Sequence, residues 1–393
     1  MIIDVRSLQQ NTEIRADICI VGAGVAGITL ARELANQGFS VALLESGGLT
    51  FEEDTQALYN GDCSTDAPYI HQLLEETRRR QFGGTAQRWN VALGHQGGGV
   101  RYLPLAEVDF EKRPHVSLSG WPFTRQELDP FYARAQKVCG LGDYTYDTAN
   151  WATREQGALP FRSSHVETSM FQFGSRLVFT RVFQEQVRVS KQITLYLHAN
   201  LVGLDTSEGG TVECAHVKTL EGKQIAVRAV QFVIAAGGIE NARLLLATEE
   251  GRRYALGNEH DLVGRYFMDH PLVRGGEFHP TSPDIVARMA LYDIRNVKGA
   301  WVMAHLTLSK EVLRQTMALN TSMLLYPRHA NYHQRHIPNP RERRAVDSAR
   351  YLSKTIKNRR VPQNPFEHLL QIGTGLNGVF SALQQRYISD EST

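Results

Sequence analysis

Three glycines and one carboxylate are the residues whose spacing most directly implies chemistry. Gly22, Gly24 and Gly27 stand in Val21-Gly22-Ala23-Gly24-Val25-Ala26-Gly27, a G-x-G-x-x-G run. In such a run the first glycine turns the chain after a strand. The second lets the backbone approach a pyrophosphate, and the third lets the next helix pack on the sheet. The N–H groups at the helix start then face two phosphates, with the helix dipole adding to the attraction. Glu45 follows Gly27 by 18 residues. A carboxylate there accepts hydrogen bonds from ribose hydroxyls and repels a 2′-phosphate, which argues against NADP. Together these residues imply the holding of a dinucleotide.

The elements that must position them surround them in the chain. Asp17–Val21 is a short apolar run of the kind that forms a buried parallel strand. A helical pattern runs through Leu30, Leu34 and Gln37 and stops at Gly38. Ser40–Leu44 is a second apolar strand ending at Glu45. The whole is one βαβ unit. Further on, Ile193–Leu197 and Val212–Val217 alternate as strands, Glu221-Gly222 marks a hairpin turn before Gln224–Val227, and Val230–Ala235 is another buried strand before a helix over Glu240–Thr248. Thr124 and Glu127 fit a capping box. The helix behind it carries Leu128, Phe131, Tyr132, Ala135 and Val138 on one face, expected to pack on the core. Val273–Phe278, Ala287–Tyr292, Ala300–Leu308 and Leu319–Leu325 alternate apolar and polar residues, which predicts an antiparallel sheet.

Composition bounds the rest. The 393 residues suit more than one domain, and 42% hydrophobic with 21% charged residues suits a globular core. A net charge of +2 gives no general argument for nucleic acid. Arg335–Arg360 holds nine basic residues against Glu342 and Asp347, without interleaved base-stacking aromatics, and is read as a solvated surface. Cys19, Cys63, Cys139 and Cys214 show no metal or disulfide spacing. Cys19 is expected as a small buried hydrophobe, and a reducing, cytoplasmic compartment is the expectation. The polar N-terminus lacks a secretory core, no apolar run is long enough to span a bilayer, and no metal site is expected.

The fingerprint by itself does not separate FAD from NAD. Two features favour FAD. Glu45-Ser46-Gly47-Gly48 follows the second strand directly, a run that resembles FAD-binding chains, and Ala229–Gly238 forms a late strand ending in small residues, which lets the chain pass close to a bulky dinucleotide.

With these residues in place, the chain resembles the glucose–methanol–choline oxidoreductases, in the style of the bacterial sugar-dehydrogenase and pyranose-oxidase branch. The resemblance is carried by the Val21–Gly27 fingerprint with Glu45–Gly48, by Phe82-Gly83-Gly84-Thr85, Gly120-Trp121-Pro122-Phe123, Ala235–Leu246 and Val263–Pro271. It implies an α/β fold with a Rossmann-like FAD/NAD(P)-binding domain, a parallel sheet with helices, plus a substrate domain on an antiparallel sheet. The FAD-binding domain is expected over 1–100 and 195–271, a helical and loop insert over 101–194, and the substrate domain over 272–393, incomplete at its C-terminal end.

The resemblance also implies roles. Gly83, Gly84 and Thr85 match the loop along the flavin and pyrophosphate. Trp89 and Asn90 match positions beside the isoalloxazine ring, and no His in this stretch offers covalent attachment. Val202 matches the edge strand whose backbone meets the adenine. Ala236, Gly237 and Glu240-Asn241 match the second FAD-contacting turn and helix start, and Ser46 goes with Glu45. His270, in Met268-Asp269-His270-Pro271, is read as structural and not as a base.

The family reaction moves a hydride from an alcohol carbon to flavin N5 while a His takes the hydroxyl proton. Of His279, His305, His329, His333, His336 and His368, none stands in the family's catalytic motif. No catalytic residue is therefore assigned, and the chain is expected to be truncated before that His and inactive towards alcohols by itself. The alternatives are a non-catalytic remnant, half of a split enzyme whose partner chain supplies the missing segment, or an NAD-dependent dehydrogenase. A small alcohol or sugar is the expected substrate class, with no nucleic acid and no membrane span.

Overall fold

The computed structural model describes residues 1–61, 74–94, 97–153, 156–248, 255–270, 272–273, 275–325, 340–357, 364–377 and 379. His329, His333, His336, Cys63 and Arg335 lie outside them. Two units divide the chain, Met1–Leu325 and Tyr326–Thr393.

The first unit contains two sheets. Its strands are β1 Ile2–Asp4, β2 Thr12–Val21, β3 Val41–Leu44, β4 Val91–Ala92, β5 Gly98–Tyr102, β6 Val166–Ser175, β7 Ile193–Leu197, β8 Asn200–Thr206, β9 Val212–Lys218, β10 Gln224–Ile234, β11 Arg295–Val297 and β12 Ala300–Leu308. The larger sheet has the order β1-β7-β3-β2-β10-β9-β8. The strands from β1 to β10 in that order run parallel, and the β9–β8 hairpin closes the edge antiparallel. The smaller sheet, β11-β12-β6-β5-β4, is antiparallel throughout. The fold class read from the sequence is the one found.

The parallel strands read as continuous apolar runs because both faces are covered. Helix α1, Val25–Ala35, packs one face through Ile28 and Ala31, with Ile20, Leu43, Phe82, Phe179 and Phe183 in the same cluster. On the other face Val21, Leu44, Ala215, Val227 and Leu244 form a second cluster. Cys19 is fully buried, as expected of a small hydrophobe.

Several local expectations change. Gln224–Val227 and Val230–Ala235 are one continuous strand, β10, because β2 pairs with it along nearly its whole length. Ala287–Tyr292 is helical: Ser282 caps a helix at Pro283–Met289, its hydroxyl accepting from the Ile285 N–H, and Ala290–Tyr292 continue as a 3-10 turn. The alternation there was the chance overlap of a short amphipathic helix with a period of two. Val273–Phe278 forms no strand among its described residues, and Leu319–Leu325 contributes only a bridge between Met323 and Leu306. The missing sheet partners come from earlier in the chain: β5 and β6 supply them, so the 101–194 stretch is more than helices and loops.

The capping box at Thr124 forms as expected, with the Thr124 N–H donating to Glu127 Oε1 at 2.8 Å. The helix behind it, Arg125–Val138, leaves Phe131 exposed and buries Gln136 instead. Gln136 is buried because its amide binds the Gly142 and Asp143 carbonyls and accepts from the Tyr146 hydroxyl.

In the second unit, helices Pro340–Lys357 and Pro365–Thr374 pack together through Ser348, Gln371, Tyr351 and His368. The first of these helices holds most of the basic stretch. No described helix is long and apolar enough to cross a membrane.

Candidate active site

The C-terminal ends of β2, β3 and β10 lie side by side, and in an open α/β sheet ligands bind at that edge. Glycines let the chain segments there touch. Gly22, at φ +104°, donates to the Leu44 carbonyl at 2.7 Å, and a Cβ on it would sit 2.7 Å from the Ala235 oxygen. A Cβ on Gly27 would lie 1.9 Å from the Gly22 oxygen. A Cβ on Gly84 would meet Gly24 Cα at 2.9 Å, and Gly83 donates to the Ala23 carbonyl at 2.8 Å. The predicted fingerprint, the 83–85 loop and the end of β10 are thus one backbone-to-backbone cluster.

Two helices begin at this cluster. Gly24 is the N-cap of α1, and Gly237 is the N-cap of the helix Gly238–Leu246. Neither provides a capping side chain. Uncapped N–H groups at a helix start are ready for an anion. A Cβ on Gly237 or Gly238 would meet nothing within 4 Å, so space lies open beside the second turn. Asn241 shapes that turn: its side-chain oxygen accepts from the Ala236 N–H at 2.9 Å and its amide donates to the Ile234 carbonyl.

Glu45 is buried at the end of β3. Its carboxylate oxygens accept from the Ala23 N–H at 3.0 Å and the Gly47 N–H at 2.9 Å. Burial pushes its pKa up, and those two N–H groups, the Arg80 charge and Ser46 pull against it. Oε1 also accepts from the Ser46 hydroxyl at 3.4 Å, while Oε2 keeps a lone pair beyond its bond to Ala23. The carboxylate therefore pins the fingerprint turn to the second strand, a role the spacing did not reveal. Beside Ser46 a cavity of about 420 Å³ opens, lined by Glu52, Thr55, His198 and Asn200 among others.

The remaining predicted residues divide. Thr85 and Asn90 are exposed. Trp89 is partly buried, its ring set edge-on against Tyr102 and Phe179 at 6.1 and 5.8 Å. Val202 is exposed on the edge strand β8. Glu240 is turned inward and is 4% exposed. It accepts from Arg78 at 2.8 Å, from Arg80 at 3.0 Å and from Arg243 at 2.9 Å. Burial raises its pKa, but those guanidiniums together hold the carboxyl below the usual range. Tyr59 lies under Arg78 and Arg80, with 4.0 and 4.5 Å from the guanidinium carbons to its ring centre. Arg80 also donates to Asn200 at the start of β8. This network fastens the 78–84 loop to the second helix start. The only hint of it in the sequence is the Arg78-Arg79-Arg80 run ahead of Phe82-Gly83-Gly84.

His270 is almost fully exposed, and of the histidines after Pro271, His279 is exposed near Glu277. His305 is different. It is 1% exposed on β12, stacks on Phe171 at 4.0 Å between ring centres, and neither ring nitrogen has a partner. Burial pushes its pKa down to about 4, against the pull of the nearby Leu306 backbone and with a smaller push from the Arg101 charge. The folded protein thus holds His305 neutral while the unfolded chain takes up a proton near pH 6.5. Its contribution is full above about pH 6.5 and is lost as pH falls towards the folded value, at about 1.4 kcal/mol per pH unit. His305→Phe is expected to flatten the acid limb of a urea-midpoint-against-pH curve. At pH 7 the variant should be more stable by about 1 kcal/mol, because two unpaired buried nitrogens are gone. An acid limb identical to wild type would refute this.

Comparison with known proteins gives the site its context. A family model described as FAD dependent oxidoreductase matches residues 17–256. The chain is 22% identical to the 2-methyl-1,2-propanediol dehydrogenase of Mycolicibacterium austroafricanum, over 66% of this chain and 55% of that protein. It is 22% identical to the fructose dehydrogenase large subunit of Gluconobacter japonicus, over 70% of this chain and 61% of that one. It is 24% identical to the paromamine 6'-oxidase of Streptomyces fradiae, over 63% and 52%. The chain thus spans between about half and three-fifths of the length of these relatives. Among solved structures, pyridoxine 4-oxidase from Mesorbium loti superposes with a TM-score of 0.37 at 19% identity, covering 59% of this chain and 51% of that one.

Proposed function

This chain belongs to the FAD-dependent oxidoreductase family, and we propose that it is a glucose–methanol–choline-type flavoprotein whose reaction is the oxidation of a CH–OH group in a small alcohol or sugar. The observation that carries this reading is the glycine-mediated contact of the fingerprint turn, the 83–84 loop and the end of β10, with two uncapped helix starts beside it.

In this reading Gly22, Gly24 and Gly27 with the start of α1 hold the pyrophosphate. Glu45 and Ser46 take the ribose hydroxyls, and the main chain at Val202 borders the adenine. The cavity beside Ser46 suits a nucleoside better than a phosphate, since Glu52, Glu53, Asp54 and Glu221 line it. Gly83, Gly84, Thr85, Trp89 and Asn90 border the flavin end, and Ala236, Gly237 and Asn241 form the second turn along the dinucleotide. FAD, when bound, supplies the hydride acceptor. The chain's own contribution is to bind and orient it, and the Arg78–Glu240–Arg80 network keeps the flavin-side loop in register with the second turn. No residue is assigned as the base. The substrate class rests on the family resemblance and on relatives named for a diol and a sugar.

Purified protein is expected to be yellow, or to take up one FAD per chain with visible flavin absorbance, while calorimetric titration with NAD gives no heat of binding. A colourless protein that takes up no FAD, or one that binds NAD instead, would overturn the reading.

A further inference from the structure

At the edge of the larger sheet, three side chains of metal-binding type converge on the β8–β9 hairpin. Asp205 and Cys214 stand directly opposite each other in the antiparallel register, and His216 stands opposite Gly203. Cys214 and His216 are two residues apart on one strand, so all three side chains project from the same face. One ligand atom from each, a carboxylate oxygen, the Sγ and a ring nitrogen, lies within 4.8 Å of the others. His216 Nε2 is 2.7 Å from Asp205 Oδ2.

We propose that Asp205, Cys214 and His216 form a binding site for a borderline-soft divalent cation, zinc in the first instance, with water completing the shell. The ligand set selects this class. Oxygen-only cations such as magnesium and calcium do not take a thiolate, whereas zinc takes sulfur, nitrogen and carboxylate oxygen in one tetrahedron. Zinc bonds of roughly 2.0–2.3 Å place ligand atoms roughly 3–4 Å apart. Binding would draw the ligand atoms in from within 4.8 Å and open the 2.7 Å Asp205–His216 contact slightly. The strands are already fixed by the sheet, so little backbone ordering accompanies binding. Asp205 and His216 are 62% and 47% exposed in their side chains and give the ion a path in, while Cys214 is 2% exposed behind them.

The surroundings both oppose and support the site. Burial pushes the Cys214 thiol up, and Arg228 draws it back. The Arg228 charge also opposes a bound cation, but its guanidinium is paired with Glu13 at 3.0 Å. As a donor Cys214 makes a long contact to the Ala215 carbonyl, at 3.9 Å, and its sulfur also lies by the Val227 N–H, which favours the thiolate. Binding exchanges the thiol proton for the ion and releases that proton to solvent, with no change of oxidation state.

Full-length protein is stripped with a chelator, dialysed and titrated with zinc chloride in a calorimeter. One zinc per chain is expected. Cobalt(II) in its place should give a thiolate-to-metal charge-transfer band in the near ultraviolet, together with the visible bands of a tetrahedral ion. Cys214→Ser should abolish the charge-transfer band. His216→Ala and Asp205→Asn, at exposed positions that leave the fold intact, should each weaken zinc by at least ~100-fold, more than the loss of an outer-shell partner. Cys139→Ser should change nothing. Absence of saturable binding in wild type, a cobalt spectrum without the thiolate band, or equal affinity in His216→Ala would each overturn the proposal. FAD uptake is measured on the same samples and is expected to be unaffected, so failure of this site and failure of the flavin reading are seen separately.

Discussion

Glu240→Ala is expected to cost the folded protein about 3–5 kcal/mol, because it leaves two desolvated guanidiniums without their counter-ion. The side chains of Arg78, Arg80 and Glu240 are only 14%, 9% and 5% exposed. Arg80 already has its Nε buried without a partner, so the loss of Glu240 leaves it to Asn200 and the face of Tyr59. A urea or thermal midpoint measures the effect. Arg243→Ala removes a bond to the same carboxylate from a side chain that is 53% exposed, and should cost less than about 1 kcal/mol. If the two variants are equally stable, the cluster is a surface ion pair in energetic terms and the argument fails. Because the cluster ties the 78–84 loop to the second helix start, Glu240→Ala should also weaken FAD under conditions where the variant remains folded.

The second large effect is expected at Gly27, and its comparison with Gly238 separates folding from binding. Gly27→Ala would drive a methyl to 1.9 Å from the Gly22 carbonyl oxygen, a rigid backbone atom. Helix α1 must then lift from the fingerprint turn, at a cost of about 3 kcal/mol or more. FAD uptake should fall with it, since the helix start and the turn no longer share one geometry. Gly238→Ala meets no atom within 4 Å and sits at the first position of its helix. Alanine there should leave stability unchanged or slightly raised. In the proposed site the same methyl points into the space beside the second turn, so FAD affinity should drop by at least tenfold, about 1.4 kcal/mol. Retained affinity in Gly238→Ala would move the dinucleotide away from this turn. Full stability in Gly27→Ala would mean that the helix adjusts freely.

The large effects at Glu240 and Gly27 also show where sequence and structure part company. The role of Gly27 was legible at once, because it is a local constraint: strand, tight turn and helix are contiguous, and only glycine fits where they meet. Glu240 was legible only as part of a family motif, and the resemblance implied a place beside the cofactor. Its two buried partners, Arg78 and Arg80, lie 162 and 160 positions away in the chain, and no periodicity encodes a pairing at that range.

Secondary structure divides along the same line. The parallel strands were readable because burial on both faces leaves an apolar run that needs no partner to be recognised. The antiparallel sheet was expected from the right kind of pattern but partly from the wrong segments. Of the four expected segments, Ala300–Leu308 is a strand, and its neighbour β6 comes from more than 100 residues earlier. Alternation says that a segment has two faces; it does not say which other segment covers them. The same limit hid His305 among the candidate histidines, since its burial comes from packing on Phe171.

By itself, then, the sequence determined the βαβ unit at Asp17–Glu45 through contiguous motifs and local backbone geometry, and the class of the fold, FAD over NAD and the family through the resemblance its motifs carry. The tertiary structure alone decided that Glu45 also pins the turn it follows, that Glu240 faces two arginines, that His305 is sealed from water, and that Asp205, Cys214 and His216 share one face of a hairpin. Each of these depends on strand register and packing between distant segments. Such contacts are fixed by the global balance of burial and hydrogen bonding and leave no local trace in the order of residues.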